Sequence, residues 1–260
     1  MKFSIITISF NAEKTIKNTI ESVLNQNYLD YEYIFVDGGS KDSTNEIIEH
    51  YKQKLLKKGI SVKHISEKDN GISDAFNKGI ALAEGEIISI LNADDQFLPG
   101  ALEKVSQEFD SDMDVIYGNC IWNDTLRGIR YIRKSKPFPE QLLYDMVFIH
   151  PSTFVRMEAY KKYGVFKIDY KYCMDEELLY RMYKQGASFK YLDIELTLFQ
   201  AGGVSDNNPW PTWKEGERLA FSYGEPLWKV KAIKLKKVIK HNLSKIRKCL
   251  LKLLTSIKSN

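Results

Sequence analysis

The chain has 260 residues, of which 43% are hydrophobic and 28% charged, and it lacks any run of about 18 apolar residues, so neither a disordered chain nor a membrane-spanning helix is expected. The net charge of +4 conceals an asymmetry: Pro226 to Asn260 holds ten Lys, one Arg and no acid, whereas the rest holds 27 bases against 34 acids. A basic tail on an acidic body reads as a partner-binding element, and the scattered Cys120, Cys173 and Cys249 lack metal-ligand spacing and suggest a reducing compartment.

FSIITIS (3–9) is apolar and β-branched, which predicts a buried first strand and not a signal peptide. Ile16, Ile20, Val23 and Leu24 then share one helical face, with Asn11 as a candidate cap. YIFVD (33–37) predicts a second strand, followed by a helix capped by Ser40 or Asp42. SVKHIS (61–66) predicts a third strand, 73–84 a helix, and EIISIL (86–91) a fourth strand. This alternation implies an α/β fold, with a mostly parallel central sheet and helices on both faces. Ligands bind beyond the carboxyl ends of strands in such sheets. Further on, 113–119 reads as a strand, 121–139 as a hairpin or loop, 175–186 as a helix and 188–199 as a strand. Residues 200–211, rich in Gly, Asn and Pro, read as a loop with a Gly202-Gly203 hinge, and the tail from Leu227 as one long helix.

Four polar clusters carry the chemistry. In SILNADDQFLPG (89–100), Asp94 and Asp95 end a strand. Two adjacent carboxylates repel unless a cation intervenes, and Mg²⁺ or Mn²⁺ bridging a diphosphate is one such cation. A turn with Asp95 as a helix cap is the competing reading. In FVDGGSKDST (35–44), Asp37 either binds a base or ribose or caps a turn. SEKDNGISDAFNKG (66–79) groups Asp69, Asn70, Gly71, Asp74 and Asn77 between strand and helix, as a site or as a polar loop. In CMDEELLYRM (173–182), Asp175 either serves as a general base or complements the helix dipole, and Glu176 and Glu177 read as solvated.

Taken in order, these segments resemble family 2 glycosyltransferases with the GT-A fold, over residues 3–205. The matching pieces are SIITISFNAEKTIKNTIESVLNQ, FVDGGSKDST, DNGISDAFNKGIALAEGEIISILNADD, HPSTFVR, MDEELLYRM and LFQAGGVS. The resemblance implies that Ile8, Ser9 and Asn11 lie against the nucleotide and that Asp37 hydrogen-bonds uracil. It implies that Asp69, Gly71, Asp74 and Asn77 line the uridine and sugar. Asn92, Ala93, Asp94 and Asp95 match the Asp-X-Asp region, with Asn92 in place of the leading acid, which leaves Asp94 and Asp95 for a divalent metal, Mn²⁺ or Mg²⁺. Asp175 matches the catalytic base, and the absence of the processive synthase motif argues against repeated polymerisation; Glu176 is a candidate acceptor contact, and His150 reads either as an acceptor contact or, at least equally, as a satisfied core histidine.

The implied function is inverting transfer of a hexose or N-acetylhexosamine from a UDP-sugar to a sugar hydroxyl, of a lipid-linked oligosaccharide in surface polysaccharide assembly. Residues 1–225 form the catalytic domain, with a nucleotide half at 1–118 and an acceptor half at 119–225, and 226–260 form the tail. In the tail, Leu235, Ile239, Leu243, Ile246, Leu250, Leu253 and Ile257 share one helical face flanked by cations. Such a basic amphipathic helix suits an anionic membrane surface, giving a cytoplasmic protein held peripherally at the cytoplasmic face of the cell membrane. Packing on the body or on another subunit, hence an oligomer, is the alternative.

Three rivals fit less well. A nucleotidyltransferase needs a Gly-rich basic loop, and a dinucleotide oxidoreductase G-x-G-x-x-G, where this chain has SFNAEKT. A nucleic-acid binder would use the tail, but the body is acidic and no recognised binding motif accompanies it, so no nucleic-acid partner is expected. Trp122, Trp210 and Trp213 read first as packing residues and second as sugar-stacking ones.

Overall fold

The computed structural model describes residues 1–137, 139–143, 147–202, 209–239 and 243. The chain divides into two compact units, Met1–Asn208 and Pro209–Asn260. The first unit is an α/β fold on one large sheet. Its strands are β1 (Phe3–Ser9), β2 (Tyr31–Asp37), β3 (Ser61–Ser66), β4 (Ile87–Ile90), β5 (Gln96–Phe97), β6 (Val115–Asp124), β7 (Ile129–Arg133), β8 (Thr153–Arg156) and β9 (Phe189–Gln200). They run in the order β3-β2-β1-β4-β8-β6-β9-β5, with β7 also paired to β6.

Burial explains the strand sequences. β2 is buried at every residue and β1 at all but Ile8, as continuous apolar runs require when helices cover both faces. β3 is the outer strand, partly exposed throughout, and carries Lys63 and His64. The helices α1 (Ile16–Leu24) and α2 (Thr44–Lys57) send Ile16, Ile20, Val23, Ile48 and Leu55 into one core with Phe3, Ile5, Tyr33 and Phe35. The helix α3 (Ile72–Leu82) packs on β1 and β2, where Gly79 leaves room for Ile6 that a Cβ would take. Further along lie α4 (Ala101–Glu108), α5 (Met157–Tyr163) and α6 (Met174–Lys184).

The parallel pairing predicted from strand–helix alternation holds through β3-β2-β1-β4. Beyond β4 the sheet is mixed. β8 pairs antiparallel with β4 and β6, β9 pairs parallel with β6, and β5 pairs antiparallel with β9. The stretch read as a hairpin or loop is a hairpin, since β6 runs on to Asp124 and pairs antiparallel with β7.

Some local expectations are corrected. Asn11 does not cap α1, which starts at Ile16 behind Thr15; Asn11 instead has φ 49 and its Oδ1 accepts from the Lys41 N–H at 2.9 Å. Ser40 does not cap α2 because its hydroxyl donates to Asp37, whereas Asp42 does accept from the Thr44 N–H at 3.1 Å. The loop expected to end at 211 gives way at Pro209 to α7 (Pro209–Ser222), since a proline in a first turn removes only an N–H that has no helical partner. Gly203 of the expected hinge lies outside the described residues.

In the second unit, α7 is followed by a helix over 227–239, and the Lys234 ammonium donates to Glu217 at 2.8 Å. The tail expected from 226 therefore shares its unit with residues from 209 onward. Leu227, Trp228, Leu235, Ile239 and Leu243 are exposed, while Ile246, Leu250, Leu253 and Ile257 lie outside the described residues. Among the described residues, no helix is long and apolar enough to cross a membrane.

Candidate active site

The strand register brings the polar clusters to one edge of the sheet. Ser9, Asp37 and Ser66 are paired neighbours at the carboxyl ends of β1, β2 and β3. Both serine hydroxyls donate to Asp37, at 3.0 Å from Ser9 and 2.7 Å from Ser66. Asp37 also accepts from the Ser40 hydroxyl, the Gly39 and Ser40 N–H groups and the Asn45 amide. Burial alone would raise its pKa, but these donors outweigh burial and lower it to about 2. Asp37 is fully buried, and a carboxylate offers about four lone-pair sites, so its oxygens are consumed. Asp37, expected to contact uracil, here holds the β2–α2 turn from beneath.

Above that turn the first loops are laced together. The Asn11 N–H donates to Ser40 Oγ at 2.8 Å, the Ala12 N–H to Thr44 Oγ1 at 2.8 Å, and the Ser43 N–H to Glu13 at 3.1 Å. Phe10 stands out at the end of β1, 64% exposed, an unusual state for a phenylalanine between Ser9 and Asn11. A Cβ on Gly38 would lie 3.4 Å from the Phe10 ring and 2.6 Å from Asp69 Oδ2, so Phe10, Gly38 and Asp69 converge. The sequence reading passed over Phe10 and Gly38; an aromatic residue at a strand end beside polar loops was the available signal.

Asp69 Oδ1 accepts from the Gly71 N–H at 2.9 Å, and Gly71 has φ 108, a backbone that favours glycine. Asp74 accepts from the Asn70 N–H at 2.9 Å and lies 3.7 Å from the Lys78 ammonium. Asn77, expected to line the sugar, makes a structural contact. Its amide brackets the backbone of Phe166, donating to the carbonyl at 2.8 Å and accepting from the N–H at 3.0 Å. One turn earlier, the Ser73 hydroxyl donates to the Tyr170 carbonyl at 3.0 Å. The helix that begins at the Asp69–Gly71 loop thus anchors the segment leading to Asp175.

Asn92, Ala93, Asp94 and Asp95 form the turn between β4 and β5. Asp95 is 1% exposed, and it accepts from the Gln200 N–H at 3.0 Å and from the Asn92 amide at 3.3 Å. Burial, then the adjacent Asp94, push its pKa well above the usual carboxylate range; burial does the same for Asp94 to a lesser extent. Asp94 is half-buried, and among the described residues no cation forms an ion pair with it. Two crowded carboxylates, one free and one held in place, fit a hard divalent cation that takes its remaining oxygens from a diphosphate.

Asp175 opens α6. It is half-buried, and Oδ1 accepts from the Glu176 N–H at 2.9 Å. Burial raises its pKa, opposed by His150, the Glu176 N–H and Arg133. Asp175 lines a cavity of about 20 Å³ together with Ile90, His150, Thr153 and Tyr160. Ile90 is the last residue of β4, so the cavity reaches the strand that leads into the Asn92–Asp95 turn. Glu177, read as solvated, is instead fully buried. Its two oxygens accept from Arg181 at 2.9 and 3.0 Å, and Lys167 approaches at 2.7 Å, which makes its burial tolerable. Trp122 packs between Tyr131 and Phe199, and Trp210 meets Trp213 edge to face.

Comparison with known proteins identifies the family and the fold. Residues 4–164 match the family model described as Glycosyl transferase family 2. The chain is 30% identical over 122 residues to a Campylobacter jejuni GalNAc(5)-diNAcBac-PP-undecaprenol beta-1,3-glucosyltransferase, covering 46% of this chain and 38% of that protein. It spans 38% to 57% of the length of the first curated relatives it matches. In three dimensions it is similar to S. aureus TarS 1-349 in complex with UDP-GlcNAc, with TM-score 0.67, 20% identity, and coverage of 85% of this chain and 66% of that one. It is also similar to a Pyrobaculum calidifontis mannosyltransferase in complex with GDP-Man and Mn²⁺, with TM-score 0.66, 15% identity, and coverage of 85% and 63%. These likenesses establish the GT-A fold.

Proposed function

Because the chain belongs to glycosyl transferase family 2, we propose that it transfers a hexose or N-acetylhexosamine from a UDP-sugar to a sugar hydroxyl, with inversion at the anomeric carbon. The observation that carries this reading is the crowded pair Asp94 and Asp95 in the turn after β4, unmatched by a cation among the described residues, with Asp175 lining a cavity that Ile90 of the same strand also lines. Phe10, Asp69 and Gly71 surround the nucleotide. Asp94 is the direct ligand of a divalent cation, Mn²⁺ or Mg²⁺, and Asp95 is the buried support beside it. That ion, when bound, supplies positive charge to the diphosphate.

Asp175 accepts the proton of the acceptor hydroxyl. As that oxygen bonds to the anomeric carbon from the opposite face, the bond to the diphosphate breaks and UDP leaves. A carboxylate whose pKa is raised is a stronger base at neutral pH than an exposed one. The acceptor is a saccharide carried on a lipid, a class supported by the undecaprenol-linked substrate in the name of the Campylobacter relative. The exposed Leu227, Trp228, Leu235 and Ile239, with Lys231, Lys236 and Lys237 on the same helix, suit peripheral attachment to an anionic cytoplasmic membrane face.

A screen of UDP-glucose, UDP-galactose and UDP-N-acetylglucosamine for UDP release tests the activity. Stimulation of none of them by any saccharide acceptor would remove the transferase reading. Binding of the full chain to anionic vesicles at low salt, and its loss at high salt, tests the attachment.

A further inference from the structure

His150 lies across the cavity from Asp175 and is held in an unusual way. Its ring stacks on Phe76, with centroids 5.0 Å apart and planes at 22°, and meets Phe166 edge on at 6.3 Å. Asn77 grips the backbone of that same Phe166, so the clamp around the ring is itself anchored to α3. Despite this fixed orientation, His150 Nε2 is buried without a hydrogen-bond partner among the described residues. A buried polar atom left unpaired costs about 1–3 kcal/mol, so a partner supplied from the cavity is the expected resolution. The cavity of about 20 Å³ has the volume of one water, and four polar residues line it: His150, Thr153, Tyr160 and Asp175.

We propose that His150 is a positioning residue for the catalytic base, its Nε2–H reaching the Asp175 carboxylate through one water held in this cavity. The inference rests on the reading of Asp175 as the base. With Asp175 ionised, the tautomer carrying the proton on Nε2 is the one that satisfies both groups. Burial lowers the His150 pKa, so the ring acts as a neutral donor and not as a counter-ion. Its work is to aim the carboxylate and favour its charged form. The charged and titratable groups acting on Asp175 from neighbouring elements are His150 and Arg133 on β7, Tyr160 on α5 lines the same cavity, and Glu176 stands beside it on α6. Thr153 Oγ1 donates to the Ile149 carbonyl at 2.9 Å and keeps lone pairs for the water.

The test is the pH dependence of kcat in the full chain, read as UDP release from whichever of the three UDP-sugars supports turnover. His150→Phe retains the stack on Phe76 but removes the donor. We expect kcat to fall about tenfold, the scale of one hydrogen bond to a charged group, with the donor KM unchanged. The acid limb of the profile moves to higher pH, because Asp175 loses a group that lowers its pKa. His150→Gln can still donate and recovers most of kcat. Thr153→Val, which removes one water partner and leaves the ring in place, shifts the limb the same way but less, and reports even if the histidine variants fail to fold. Unchanged kcat and limb in His150→Phe, equal loss in the Phe and Gln variants with no limb shift, or an unshifted limb in Thr153→Val if the histidine variants fail to fold, would overturn the proposal. Asp175→Asn separates the two layers, since full turnover there removes the base itself and not merely its positioning.

Discussion

The carboxyl ends of β2 and β4 each carry aspartate to the same edge of the sheet, and their physical states are opposite. Asp37, after β2, is buried under six donors and its pKa falls to about 2. Asp94 and Asp95, after β4, are crowded together, and burial pushes both upward. The first turn holds a finished hydrogen-bond network and needs nothing further. The second crowds two carboxylates that no cation among the described residues pairs with. The lesson concerns satisfaction more than residue type: a carboxylate that already has its donors shapes the fold, and one without them is free for a ligand.

Breaking the uncompensated side has the largest expected effect. Asp175→Asn or Asp94→Ala lowers turnover by about 100- to 10,000-fold, while thermal unfolding of the ligand-free chain stays at or above the wild-type midpoint. A matching loss of stability would show that these groups are structural, like Asp37. The satisfied side behaves in reverse. Glu177→Ala leaves Arg181 and Lys167 without their buried partner and costs about 3–5 kcal/mol in denaturant unfolding.

Asp37→Asn costs about 2 kcal/mol by linkage from its lowered pKa. The sign follows from the direction of the shift. A depressed carboxylate contributes stability above its unfolded pKa of 3.8, and that contribution is lost as pH falls toward 2. Acid unfolding of the variant is therefore less steep across that interval. At the β4 turn the pKa shifts run upward, so protons would compete with a cation on Asp94 and Asp95. The thermal shift produced by UDP with Mn²⁺ should shrink as the pH is lowered from neutrality, and a pH-independent shift would remove these carboxylates from cation binding. Gly38→Ala is the gentlest probe. Its Cβ would displace the Asp69 carboxylate, now 2.6 Å away, and the donor KM should rise about threefold with unfolding unchanged.

Much of the first half was legible. The apolar runs at 3–9 and 33–37 are buried, so their composition alone marks them as strands, and Asp37 falls at the end of the second. Short elements were not legible. β5 has two residues and β8 four, and both exist through pairing with β9, β4 and β6. Glu177 shows the limit for single residues. Its neighbour Arg181 lies one helical turn away and was visible, but its burial depends on a distant loop that brings Lys167. Asp37 shows the same limit, since Ser9 and Ser66 lie 28 and 29 residues away and only strand register places them on either side.

The amino-acid sequence by itself determined the order of strands and helices in the nucleotide half, the family, and the set of acids that reach the ends of strands. These follow from local periodicity and residue chemistry, which a linear pattern carries in full. The tertiary structure decided which groups are satisfied: Asp37 and Glu177 hold donors on both sides, Asp94 has no cation partner among the described residues, and His150 Nε2 is buried without a hydrogen-bond partner among them. Hydrogen-bond partners arrive from remote segments, and the energy of a charge is set by how deeply the whole fold removes it from water.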